Sequence, residues 1–252
     1  MTAVDELDDE ARTLFALKRV PPTRTLAYGD HPSQVVDLYG DPSARPVVAL
    51  LHGGFWRERY DRTYLTPLAA ALAEDLNGCV ALIEYRRVGD AEGDGGGGFP
   101  ATFDDLPPAL AALPGAGPVV LAGHSAGGHL ALWAASRCPT AVSRVVGVAA
   151  VADLARAHEL GLSDGAVAGL LGGAGRVAER LDETDPMRMP APAAPVVLLH
   201  GEADADVPVE LSRRYARAVG GRLLELPGTG HYAPVTPGTR AYETLRTALT
   251  EP

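Results

Sequence analysis

A chain of 252 residues can fill the core of one large α/β domain and is short for two. Apolar residues make up 46% and charged residues 21%, the balance of an ordinary soluble globular protein. The formal net charge of −10 argues against nucleic acid or an anionic membrane as partner, because both reward basic patches.

The first residues, Met1 to Glu10, are acidic and lack the basic start and apolar core of a signal peptide, so a cytoplasmic location is expected. Val4, Leu7, Ala11, Leu14, Phe15 and Leu17 space an amphipathic helix over 4–18, ended by Pro21 and Pro22. Thr23–Tyr28 and Gln34–Tyr39 read as two strands joined by the turn Gly29-Asp30-His31-Pro32. Val47–Leu51 is an apolar strand running into His52-Gly53-Gly54-Phe55-Trp56, and 63–76 looks helical. Cys79–Ile83 is the next buried strand, followed by a Gly93–Gly98 tract expected to form a flexible loop. A helix is expected over Phe103–Leu113. Leu106–Ser136 carries no Asp, Glu, Lys or Arg, but its prolines and glycines divide it into pieces too short to cross a bilayer.

Pro118–Ala122 reads as a buried strand and Gly128–Ala135 as a buried helix, with Gly123-His124-Ser125-Ala126-Gly127 between them. Val145–Ala150 is a further strand, and 151–190 breaks the rhythm with short helical pieces, a small cap or insertion. Pro195–His200, a helix over Leu211–Val219, the strand Arg222–Leu226 and a helix over Thr239–Leu249 complete the chain. Strand alternating with helix predicts an α/β fold, a mostly parallel central sheet with helices on both faces. Cys79 and Cys138 have no metal-type spacing and read as reduced, small hydrophobes.

G-x-S-x-G between strand and helix would lift the Ser125 hydroxyl clear of the sheet, with flanking glycines because side chains would collide there. A plain N-cap serine is the competing reading of that motif alone. A nucleophilic serine needs a base, and the base needs an anion to orient it. His231 follows the last strand, and Asp204 follows the one before it, giving the order Ser125, Asp204, His231. Asp206 and Asp153 are alternative acids. Backbone N–H groups of Gly54, Phe55 and Ala126 are the expected oxyanion donors, with Gly53 an alternative. Trp56 and Tyr232 adjoin these turns, and with His124 they are the expected pocket residues. No dinucleotide or phosphate-loop pattern is present, and neither cofactor nor metal is expected.

These separated motifs resemble the α/β-hydrolase superfamily over residues 34–250. His52-Gly53-Gly54-Phe55-Trp56 resembles the HGGxW motif of the arylformamidase (kynurenine formamidase) and small-esterase group, and Gly123–Leu130 is similar to the same group. The resemblance implies an α/β-hydrolase fold, Ser125 as nucleophile, Asp204 as acid, His231 as base, and the HGGxW turn in the oxyanion hole. The expected organisation is one domain over 1–252, with a helical extension at 1–20 and the cap at 151–190. The expected activity is cofactor-free cleavage of a small ester or amide, with a homodimer left open. A peptidase-like or biosynthetic acyl transferase on the same triad, and a binding protein on this scaffold, are the rival readings.

Overall fold

The computed structural model describes residues 9–89, 96–115 and 117–251. Residues 4–8 of the expected N-terminal helix, and residues 93–95 of the glycine tract, lie outside the described residues.

The central sheet has eight strands: β1 (Arg24–Ala27), β2 (Val35–Gly40), β3 (Val47–Leu51), β4 (Cys79–Ile83), β5 (Val119–His124), β6 (Val142–Val148), β7 (Val196–Gly201) and β8 (Arg222–Leu226). Their order is β1-β2-β4-β3-β5-β6-β7-β8. β1 pairs β2, and β2 pairs β4, antiparallel; from β4 to β8 every pairing is parallel. Leu51 is level with Ile83 on one side and Gly123 on the other, so the carboxyl ends of the parallel strands come out at one edge. That edge is where sheets of this kind bind ligands.

Strand alternation sends apolar side chains to both faces. Val47, Ala49, Leu51, Leu121 and Leu198 face one core, while Val48, Leu50, Val120, Ala122 and Leu199 face the other. The second core is closed by α1 (Asp9–Phe15), α2 (Thr66–Asp75) and the C-terminal helix Arg240–Thr250. The short helices α3 (Ala101–Asp104) and α4 (Leu106–Ala111), together with α5 (Ala126–Arg137), cover the first core. The single helix expected over 103–113 is thus split at Asp105, whose carboxylate accepts from Gln34 Nε2 and the Arg86 backbone N–H.

After β6 come α6 (Leu154–Glu159), α7 (Leu162–Leu170) and α8 (Val177–Thr184). Asp153 caps α6 by accepting from Arg156 N–H at 2.8 Å, and also pairs with Arg214 Nε at 2.6 Å. The start of α7 is not helical: Ser163, Asp164 and Gly165 are all left-handed, at φ 47°, 53° and 74°. α9 (Glu210–Ala218) and α10 (Arg240–Thr250) follow β7 and β8. No described helix is long and apolar enough to cross a membrane.

Candidate active site

Ser125 sits between β5 and α5 at φ 57°, ψ −118°, a left-handed backbone that costs energy for a residue with a side chain. The flanking glycines make the turn possible. A Cβ on Gly123 would lie 2.1 Å from Gly127 O, and one on Gly127 would lie 2.3 Å from Leu51 O. Ser125 N–H donates to Val148 O at 2.8 Å, and Ser125 O accepts from Val151 N–H, fastening the turn to the end of β6.

His231 lies on the loop after β8, and its Nδ1 is 2.7 Å from Asp204 Oδ2. The other carboxylate oxygen accepts from the N–H groups of Asp206 and Val207 at 2.9 and 2.8 Å, which fixes the carboxyl plane. Burial alone would raise the Asp204 carboxyl. Hydrogen bonds from His200 and His231, the charge available to His231, and the Val207 N–H outweigh burial and hold it well below the usual carboxylate range. Asp204 is therefore the carboxylate on the histidine. Asp206 is exposed at the cavity edge, and Asp153 is occupied in capping α6.

The turn after β3 runs Gly54, Phe55 and Trp56 through left-handed φ of 100°, 48° and 58°. Gly53 N–H is committed to Tyr64 Oη at 2.8 Å. No hydrogen bond among the described residues engages the N–H groups of Gly54, Phe55 or Ala126, and that of Ala126 opens α5. The turn is braced from below. His52 lies with Nδ1 2.8 Å from Gly53 O and Nε2 2.8 Å from the buried Glu84, and its ring stacks on Tyr85. Glu84 also accepts from the Arg62 backbone N–H and pairs with Arg87.

A cavity of about 480 Å³ opens onto Ser125 and His231. Its walls include Phe15, Phe55, Tyr60, Tyr64 and Tyr232, with Leu160–Asp164 on one side and Asp206 on another. Tyr232 and His124 thus lie where a pocket role was expected. Trp56 does not: it is fully buried behind the turn, edge-on to His129 at 5.1 Å, and is absent from the described lining. The successive left-handed residues swing Phe55 to the cavity and Trp56 to the core. His124 serves as a link more than as a wall. Its Nδ1 accepts from Tyr64 Oη at 2.8 Å and its Nε2 donates to His231 O at 3.1 Å. Burial, reinforced by nearby His231, lowers His124 to about 3, and burial raises the Tyr64 phenol well above its usual value. The chain Gly53 N–H to Tyr64 to His124 to His231 C=O is therefore neutral and runs one way. Tyr64 and Phe15 had no motif to mark them in the sequence.

No protein-family model matches the sequence. Among solved structures, a candidate thioesterase from Silicibacter sp. TM1040 superposes with a TM-score of 0.74 at 21% identity, covering 99% of this chain and 94% of that one. Esterase B from Lactobacillus rhamnosis gives a TM-score of 0.72 at 20% identity, covering 94% of this chain and 89% of that one. An acetyl ester-xyloside bifunctional hydrolase from Caldicellulosiruptor lactoaceticus gives 0.70 at 20% identity, covering 90% and 94%. This chain has the α/β-hydrolase fold. At these identities the likeness is one of fold.

Proposed function

We propose that this chain is a serine hydrolase that cleaves small carboxylic esters or linear amides, as a carboxylesterase or in the manner of an arylformamidase. One observation carries the reading: Ser125, held in a left-handed strand-to-helix turn, shares a cavity with His231, whose Nδ1 is engaged by the buried Asp204. With Nδ1 so engaged, Nε2 is the nitrogen left to take the Ser125 Oγ proton. The serine oxygen bonds to the substrate carbonyl carbon, and the carbonyl oxygen takes up the negative charge. The N–H groups of Gly54, Phe55 and Ala126 supply donors for that oxyanion. Collapse expels the alcohol or amine, protonated by His231, and leaves an acyl-serine. Water, deprotonated by the same histidine, then adds to the acyl carbon and releases the acid and free Ser125.

The cavity favours a compact substrate with an apolar or aromatic group, because aromatic side chains form much of its wall. The charged side chains among its described lining are the carboxylates Asp164 and Asp206, with no lysine or arginine, which suits neutral or cationic substrates better than polyanionic ones. Esterase B, which shares the fold, is described in a form inhibited by a tributyrin phosphonate, consistent with short acyl chains as a first choice.

Purified protein and its Ser125→Ala variant are to be assayed side by side on short-chain aryl esters and on N-formylkynurenine. Turnover by the wild type that Ser125→Ala abolishes is expected, and the faster substrate separates esterase from arylformamidase. Faster loss of the acyl group to an added amine or alcohol than to water would reassign the chain as an acyl transferase. Absence of both turnover and fluorophosphonate labelling at Ser125 would leave a binding role.

A further inference from the structure

His231 stands on a loop without regular structure between β8 and a short 3-10 turn at Ala233–Val235, so its position depends on what holds that loop. His124 holds the carbonyl side. The N–H side is held from the far end of the chain. Glu10, on α1, accepts from Gly230 N–H at 2.8 Å through Oε1, and from Tyr232 N–H at 3.0 Å and Ala233 N–H at 2.8 Å through Oε2. One carboxylate thus collects three amides that bracket His231 on both sides. The fit is close: a Cβ on Gly230 would lie 2.9 Å from Glu10 Oε2, so a side chain there would displace the carboxylate. Ala11 and Leu14 anchor the helix by full burial, and Phe15 extends from its end into the cavity wall, in ring contact with Tyr64 at 5.9 Å and Tyr232 at 5.6 Å.

The geometry points to Glu10 as a positioning residue for His231, and to the N-terminal helix as a working part of the site. The inference rests on the reading of Ser125, His231 and Asp204 as the reacting triad. Charge-assisted hydrogen bonds from backbone amides to a carboxylate are among the stronger kind, and three of them fix both the height and the tilt of a short loop. Phe15 closes the same wall against which a substrate packs, so one helix both sets the base and shapes the pocket.

The test compares Glu10→Ala, Glu10→Gln and the neighbouring control Asp9→Ala with wild type. Steady-state kinetics are measured on whichever ester or formamide the wild type cleaves, and amide hydrogen exchange is followed across residues 230–233. Loss of the carboxylate leaves His231 present but loosely placed, so kcat falls about 10- to 100-fold while KM stays within about twofold. Exchange at 230, 232 and 233 accelerates by at least about tenfold. Glu10→Gln keeps the shape of the side chain but only one acceptor oxygen, so it falls between, and it serves if the alanine variant folds poorly. Asp9→Ala matches wild type. An active wild type with kcat and amide exchange unchanged in Glu10→Ala would overturn the inference alone. A wild type with neither Ser125-dependent turnover nor Ser125 labelling would overturn the hydrolase reading, and the catalytic half of this inference with it; the exchange data would still report the clamp.

Discussion

Tyr64→Phe removes one oxygen atom and cuts the link between the turn after β3 and the His231 loop. In the wild type that oxygen accepts from Gly53 N–H and donates to His124 Nδ1, both at 2.8 Å. Gly53 and His124 are buried, so the variant leaves one donor and one acceptor without their partner. Each such orphan costs about 1–3 kcal/mol. Tyr64 borders the cavity, and water entering there can recover part of this. A net loss of about 2 kcal/mol follows, equivalent to a fall in Tm of about 4–8 °C for a chain of this size. Turnover should fall about tenfold as the two halves of the site lose their common reference, a misplacement effect. Differential scanning fluorimetry with steady-state kinetics on an aryl ester reads both numbers. A Tm within about 1 °C of wild type, with unchanged kcat, would refute the reasoning.

Asp204→Asn should keep the loop, because its amide oxygen can still accept from Asp206 and Val207 N–H, but its NH2 then faces His231 Nδ1 and selects the wrong tautomer. A loss of about 10⁴ in kcat is expected, measured against an active-site titration; a loss below about tenfold would remove Asp204 from the triad. Acid should destabilise the fold through three buried histidines. Burial lowers His52 and His124 to about 3 and His129 to about 4, below the value of about 6.5 in the unfolded chain. Between these limits the unfolded state binds more protons, so stability is full above about pH 6.5 and is lost as pH falls. Three protons give a slope of about 4 kcal/mol per pH unit near pH 5. Urea titrations at pH 7, 6, 5 and 4 measure it, and a flat profile would contradict the neutral, buried placement of the three rings.

The sheet is legible because its central parallel strands are short apolar runs: Val47–Leu51 and Cys79–Ile83 fall on the expected residues, and so does the more polar edge strand Arg222–Leu226. Ser125, Asp204 and His231 follow β5, β7 and β8, the strand ends that the sequence order marks, and their roles stand as the proposal above. Helices were read less sharply. The stretch 103–113 has continuous apolar spacing, but Asp105 turns inward to Gln34 and Arg86, a contact with distant residues that no local pattern encodes. Trp56, expected at the pocket, lies in the core, because side-chain direction in that turn depends on three left-handed residues in succession. Glu10 was beyond reach: its partners lie more than 200 positions along the chain, and an acidic residue at a helix start has an ordinary explanation in the helix dipole.

The cavity is built from two kinds of chain. Ser125, Asp204 and His231 stand on loops at strand ends, whereas Phe15, Tyr60, Tyr64 and Leu160–Asp164 come from segments that pair with no strand. Phe15 and Tyr64 are tied to the His231 loop through α1 and His124, whereas Leu160–Asp164 line the cavity from a segment that holds none of the three proposed reacting residues. On the proposed reading, a library confined to residues 160–164 would re-specify which substrate enters while leaving the proposed triad and its supports untouched, so a fold of this kind can diversify its diet without re-inventing its catalyst.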